Sequence, residues 1–154
     1  NAFLMLKHDK MSKSVGNFVT IRSILAKYPG DVVRLCLLKA HYREDVEYDK
    51  DCFRRTREEY EAMRAAMEAA SRARGSGTGG KISAFLASTK TRFLAAMEDD
   101  VNTPDAVYRL LQMTEALRDL PNLSREEGRE VVALYSELGG ILGLFSELDD
   151  AGST

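Results

Sequence analysis

The sequence contains no tryptophan, only three prolines, two histidines and two cysteines in 154 residues. Two cysteines, Cys36 and Cys52, are too few for a disulfide-stapled scaffold. One bridge between them is allowed by count, but both fall in segments that read as helix, and reduced thiols are the expected state of a cytosolic chain. Adding His8 and His41 gives four soft donors at scattered spacing, which does not make a structural zinc motif, so no metal ligand is assigned. No apolar run approaches the roughly 20 residues needed to span a bilayer as a helix, and no membrane partner is expected. The opening stretch, Asn1-Ala2-Phe3-Leu4-Met5-Leu6, lacks the basic region and cleavage pattern of a signal peptide and has no initiating methionine. It is expected to be an interior strand of a longer protein.

Hydrophobic residues make up 44% of the chain and charged residues 30%, values that suit a soluble, mostly helical protein and argue against disorder. The formal charge of −2 hides an asymmetry. Residues 1–43 carry eight lysines or arginines against only Asp9 and Asp31, whereas the second half is acidic. A local positive surface of this kind can serve a phosphate or an RNA backbone even on an acidic protein.

Helical periodicity dominates after residue 20. Thr20 is placed to cap a short helix over 21–28, which Pro29-Gly30 ends, and Asp31 to cap a second over 32–40. Val46 and Tyr48 alternate as in an extended segment. A long helix is predicted over 51–72, with Phe53, Thr56, Tyr60, Met63, Met67 and Ala70 on one buried face. Residues 75–80 contain four glycines and read as a flexible linker between antiparallel helices. Beyond it, Ile82, Leu86, Thr89, Phe93 and Met97 trace one face. Thr103-Pro104 is expected to cap and open the next helix, which buries Val107, Leu110, Leu111, Thr114 and Leu117. Ser124 and Glu127 have capping-box spacing ahead of Val131, Leu134, Tyr135, Leu138 and Leu142. Asp99, Asp100 and Asn102 lack a full calcium-ligand set and read as capping groups. Residues 149–154 are expected to be disordered.

One polar stretch stands out. Lys10-Met11-Ser12-Lys13-Ser14, followed by Val15, Gly16 and Asn17, concentrates two ammonium groups, two hydroxyls and a glycine in a short span. Lysines neutralise phosphate charge, hydroxyls and backbone N–H groups donate to phosphate oxygens, and glycine lets the chain pass close to a ligand. By physics alone this is a weak anion-binding signal, because lysine and serine are common in solvated loops.

As a string it resembles the KMSKS signature of the class I aminoacyl-tRNA synthetases. The run continues through Phe18, Thr20-Ile21-Arg22, Arg34-Leu35-Cys36-Leu37-Leu38, His41-Tyr42-Arg43 and Asp99-Asp100-Val101-Asn102-Thr103-Pro104. In that order it is similar to the cysteinyl family over residues 1 to about 145, with Val15 in place of an expected leucine and Glu98 where Asp is more usual. The resemblance implies a mostly α fold, in which the end of a class I α/β catalytic unit precedes an antiparallel helical bundle of the tRNA-stem-binding type. Residues 1–48 would hold the end of the catalytic and stem-contact region with its loop, and 49–148 the bundle.

It further implies a fragment of a ligase that activates cysteine with ATP and transfers it to its tRNA in the cytoplasm. Lys13 and Lys10 would be catalytic, with Ser12, Ser14 and Gly16 completing the cradle for the ATP phosphates. Mg2+ would accompany ATP, and Zn2+ would belong to the complete protein with no ligand in this chain. Arg34, His41, Arg43, Arg54 and Arg55 are the candidate RNA-binding residues. The isolated fragment is expected to be inactive. A related ligase joining cysteine to a small amine, or a non-catalytic nucleotide- or RNA-binding helical module, remains an alternative reading.

Overall fold

The computed structural model describes residues 3–6, 18–40, 47–48, 50–119 and 122–146. A small sheet precedes a mostly helical body. Strand β1 (Phe3–Leu6) is central, paired antiparallel with β2 (Phe18–Thr20) and parallel with β3 (Glu47–Tyr48). Between β2 and β3 lie the short helix α1 (Ile21–Leu25) and helix α2 (Gly30–Lys39). Four long helices follow: α3 (Lys50–Ser71), α4 (Lys81–Glu98), α5 (Thr103–Arg118) and α6 (Arg125–Leu142).

The buried face predicted for α3 forms at all six positions, Phe53, Thr56, Tyr60, Met63, Met67 and Ala70. Tyr60, Met63, Met67 and Ala70 join Ile82, Leu86 and Phe93 of α4, Val107, Leu110 and Met113 of α5, and Val131, Tyr135 and Leu138 of α6. The result is a four-helix bundle with one continuous core. Two differences from the sequence pattern are local: Ala96 and Met113 take the fully buried places, while Met97, Leu111 and Leu117 pack at the margin. A third concerns α2. Its Val32 and Leu35 are buried in the same core as α3–α6, so packing continues across the boundary expected at residue 48.

Caps mark the helix ends. At α6 both halves of the capping box form, with Glu127 N–H donating to Ser124 Oγ at 3.2 Å and Ser124 N–H donating to Glu127 Oε1 at 3.0 Å. At α5 the cap is Asn102, whose side chain accepts from Asp105 N–H at 3.2 Å. Thr103, expected to cap, is instead the first helical residue, because the longer Asn102 amide already reaches that N–H. The turn before it holds Asp100 and Val101 at φ 53 and 52, an unusual region for a β-branched residue.

Residues 75–80 are anchored by hydrogen bonds, in contrast to the flexible linker expected from four glycines. Gly75 N–H donates to Leu123 O at 2.8 Å and Gly77 N–H to Asn122 O at 3.0 Å. Thr78 donates through its N–H (2.9 Å) and its hydroxyl to Glu127, which is only 8% exposed. The reason is topological. Helices α3 and α4 each pack on α5 and α6 and lie on opposite corners of the bundle. Their connection therefore crosses the bundle end and lies on the turn leading into α6.

Glu127 is held below its ordinary value of 4.5, first by the Thr78 hydroxyl and then by the backbone N–H of Ser124. A carboxyl depressed by folding adds stability above its unfolded pKa, and that contribution is lost as pH falls through the folded value. The melting-temperature difference between the chain and its Glu127→Gln variant should be full above about pH 5 and shrink below it; a pH-independent difference would refute the assignment.

Two of the three glycines in helix α6 have opposite surroundings. A Cβ at Gly128 would collide with the carbonyl oxygen of Ala70, whereas a Cβ at Gly140 meets nothing within 4 Å. Replacing a helical glycine by alanine gains up to about 1 kcal/mol. Overpacking a backbone contact costs about 1–3 kcal/mol. Gly140→Ala should therefore raise the urea midpoint and Gly128→Ala lower it, and two shifts of the same sign would contradict this packing.

Candidate functional site

Lys10, Ser12, Lys13, Ser14 and Gly16 lie outside the described residues, as do His8, His41, Arg43 and the 149–154 tail. What is described is the frame holding the ends of those segments. Met5 of β1 pairs opposite Phe18 of β2, so residues 7–17 join two adjacent antiparallel strands. Neighbouring strands run about 5 Å apart, which fixes both ends of the loop. On the other edge of β1, Leu6 pairs with Tyr48, two residues before α3 begins. Residues 41–46 connect α2 to that same edge strand. The loop root, the start of α3 and the segment carrying His41 and Arg43 are thereby tethered to one three-stranded sheet.

Helix α2 is seated on the bundle by a polar joint. The Asp31 carboxylate accepts from the Tyr60 hydroxyl at 2.6 Å and from Phe145 N–H at 3.0 Å. Tyr60 and Phe145 also stack, with ring centroids 5.6 Å apart, and Arg64 donates to the Tyr60 oxygen at 3.1 Å. Burial, and next the bond to Asp31, push the Tyr60 hydroxyl up to about 12, so it stays a neutral donor at physiological pH. Asp31 was expected to cap α2. It makes no such bond: the helix begins one residue earlier, at Gly30 after Pro29, and the Asp31 side chain meets groups 29 and 114 residues away instead.

A second set of contacts closes the other side. Lys39 Nζ lies 2.5 Å from Glu59 Oε1 and donates to Thr56 Oγ1 at 3.1 Å. The Cys36 thiol, fully buried, donates to the same Thr56 hydroxyl at 3.2 Å. Its Sγ is 3.3 Å from Cys52 Sγ, and there is no disulfide. The Cys52 hydrogen bond and burial raise the Cys36 pKa far above the ordinary thiol range.

The three candidate RNA-binding arginines that are described have different surroundings. Arg34 Nε donates to Leu142 O at 2.5 Å, and its guanidinium lies against Gly143, which ends α6 at φ 77. That places a cation at the negative end of the helix dipole. Arg54 is 61% exposed and sits between Asp51 (3.6 Å) and Glu58 (3.5 Å). Arg55 is exposed and has no ion-pair partner among the described residues. The joint residues Tyr60, Glu59, Thr56 and Phe145 were not nominated as site residues. Only the burial of Tyr60 and Thr56 was legible in the helical period. A groove lined by Ala62, Ala66, Ala69 and Ala73 lies at the far end of α3, remote from the sheet.

These placements separate two kinds of arginine. Arg34→Ala should lower unfolding free energy by about 1.5–3 kcal/mol, the range for a charged hydrogen bond. Arg55→Glu should change it by about 0.5 kcal/mol or less, as for an isolated surface substitution. Equal effects in urea denaturation would erase the distinction.

Comparison with known proteins covers both the loop and the bundle. Residues 1–58 match the family model described as tRNA synthetases class I (C) catalytic domain, and residues 92–146 match a DALR domain. The cysteine--tRNA ligase of Symbiobacterium thermophilum is 37% identical over 153 residues, covering 94% of this chain and 32% of the relative. That of Archaeoglobus fulgidus is 35% identical over 159 residues, covering 97% and 33%, and that of Azotobacter vinelandii 38% identical over 136 residues, covering 88% and 28%. The chain thus spans about a third of the length of the curated relatives it matches. With both family models in the expected order, and with similarity running unbroken across the stretch between them, the chain belongs to the cysteinyl-tRNA synthetase family of class I synthetases.

Proposed function

We propose that this chain supplies the signature loop and helical bundle of a ligase that activates cysteine with ATP and transfers it to cysteine tRNA in the cytoplasm. The observation that carries the proposal is the 37% identity to a cysteine--tRNA ligase over 94% of the chain, spanning loop and bundle together. The strand pairing that fixes both ends of residues 7–17 supports it, since a phosphate-binding loop needs a rigid base.

In this reading, the cysteine carboxylate attacks the α-phosphorus of ATP and pyrophosphate leaves. Charge accumulates on phosphate oxygens as the bond to the leaving group breaks. Lys13 is the cation placed against that charge, and Lys10 adds to the field. Ser12 and Ser14 donate hydroxyls, and Gly16 admits close approach of the backbone. Mg2+ accompanies ATP. Zn2+ is assigned to the complete ligase by family resemblance, and no group of three or more His, Cys, Asp or Glu among the described residues could hold a metal. The activated cysteine then passes to the terminal ribose of the tRNA.

Residues 1–48 form the loop-bearing region in this proposal and 49–148 the RNA-facing bundle, joined through α2. His41, Arg43 and Arg55 face the tRNA backbone with Arg54, whereas Arg34 acts on the joint. The pairing of Arg54 with exposed carboxylates leaves it available, because such pairs are worth about 1 kcal/mol or less.

The decisive measurement is pre-steady-state pyrophosphate release by the complete ligase carrying this chain, with cysteine and ATP saturating. Lys13→Ala should slow that step by about 2–4 kcal/mol, roughly 30- to 900-fold. Lys13→Arg should fall between the two, since it keeps charge but changes reach and donor geometry. Arg43→Glu and Arg55→Glu should weaken tRNA binding more at low salt than at high salt while leaving pyrophosphate release unchanged. Wild-type release by a folded Lys13→Ala protein would overturn the role of the loop.

A further inference from the structure

Two sulfurs lie close together at a place the proposed ligase chemistry does not use. Cys36 projects from α2 and Cys52 from the first turn of α3, and their Sγ atoms are 3.3 Å apart. A disulfide needs about 2.05 Å, so closure requires the two sulfurs to move together by little more than 1 Å. The pair sits in a small apolar cluster formed by Ile24, Val33 and Phe53, with Tyr28 stacked on Phe53 at 5.4 Å. Cys36 is completely buried and Cys52 partly exposed.

We propose that Cys36 and Cys52 are a redox modification site, in which a hydroperoxide oxidises the pair to a reversible disulfide joining α2 to α3. The two sulfurs have unequal access and unequal roles. Cys52 is the one an oxidant can reach. Its sulfur attacks the peroxide O–O bond, giving a sulfenic acid and releasing one water. Cys36 then attacks the sulfenic sulfur, the S–S bond forms as S–O breaks, and the departing hydroxide takes the Cys36 proton as a second water. Two thiols and one hydrogen peroxide thus yield one disulfide and two waters.

The surroundings fit Cys36 as the resolving partner. Its high thiol pKa makes it a poor first nucleophile, and its burial shields it from oxidant. As the departing hydroxide takes the Cys36 proton, the Thr56 hydroxyl can turn to donate to the developing thiolate, with the Lys39 ammonium 3.1 Å from that oxygen adding positive charge beside it. The bridge would close the loop from 36 to 52, which contains His41, Arg43 and β3. It would therefore fasten the connection between the loop-bearing region and the bundle.

The test uses the 154-residue chain treated with a small excess of hydrogen peroxide. Intact mass should fall by two hydrogen masses, peptide mapping should show a Cys36–Cys52 cross-link, and dithiothreitol should restore both thiols. The melting temperature of the oxidised chain should rise by roughly 5–10 °C. Cys36→Ser should trap Cys52 as a dimedone-reactive sulfenic acid, and Cys52→Ser should leave Cys36 unmodified under the same treatment. If the Cys36→Ser protein folds poorly, the wild-type mass, the peptide map and the Cys52→Ser protein still decide. Intermolecular Cys52–Cys52 dimers, higher oxides of Cys52 without a cross-link, or Cys36 reacting as fast in Cys52→Ser would each overturn the proposal.

Discussion

The Asp31 carboxylate connects three parts of the chain that are far apart in sequence. It receives the Tyr60 hydroxyl from α3 and the Phe145 amide from the turn beyond α6, while belonging itself to α2. Removing either donor's acceptor would leave a polar group shut away from water, which costs more than an ordinary hydrogen bond is worth. The ring stack of Tyr60 on Phe145 depends on the same placement, since Phe145 adopts a positive φ of 64 to bring its ring there. That ring in turn lies against Gly139, where any Cβ would strike it. The order of dependence runs from one carboxylate oxygen to a bent chain end and then to a small residue in the last turns of α6.

The joint explains how a loop-bearing sheet and a helical bundle can behave as one body. Helix α2 contributes Val32 and Leu35 to the bundle core and Val33 and Cys36 to the smaller cluster beneath α1. It therefore belongs to both sides. Arg34 at the α6 terminus and Lys39 at Glu59 hold its two flanks at the same time. Rocking α2 would break a charged contact on either side, with Leu142 of α6 through Arg34 or with Glu59 of α3 through Lys39.

The sequence pattern disclosed whatever is decided within one or two helical turns. The six-residue face of α3 and the reciprocal bonds of Ser124 and Glu127 were legible because spacing alone determines them. Off-by-one choices arose where two neighbours could do the same job, as with Asn102 and Thr103. The bond of Arg34, an RNA-binding candidate, to a carbonyl 108 residues later was not legible, because a solvent-side arginine on a helix looks the same with or without such a partner. Gly128 carried no visible signal either: a glycine inside a helix reads as a weakness until the partner backbone against it is known. The loop residues were found by their string, and their chemical role rests on resemblance, because lysine and serine spacing does not separate a phosphate cradle from a solvated turn.

The crossing made by residues 75–80 has a consequence for how this bundle can vary in length. Adjacent helices pack at about 8–10 Å, so opposite corners are roughly 11–14 Å apart. An extended chain gains at most about 3.5 Å per residue, so residues 72–80 between α3 and α4 could reach roughly 30 Å and span the diagonal with slack that the anchoring hydrogen bonds take up. Shortening it to about three residues would leave almost none. Below that length the chain could no longer place α3 and α4 on opposite corners, and the helices would have to exchange neighbours. Insertions there only lengthen a surface crossing, whereas deletions select a different bundle; tolerance to length change at this point is one-sided.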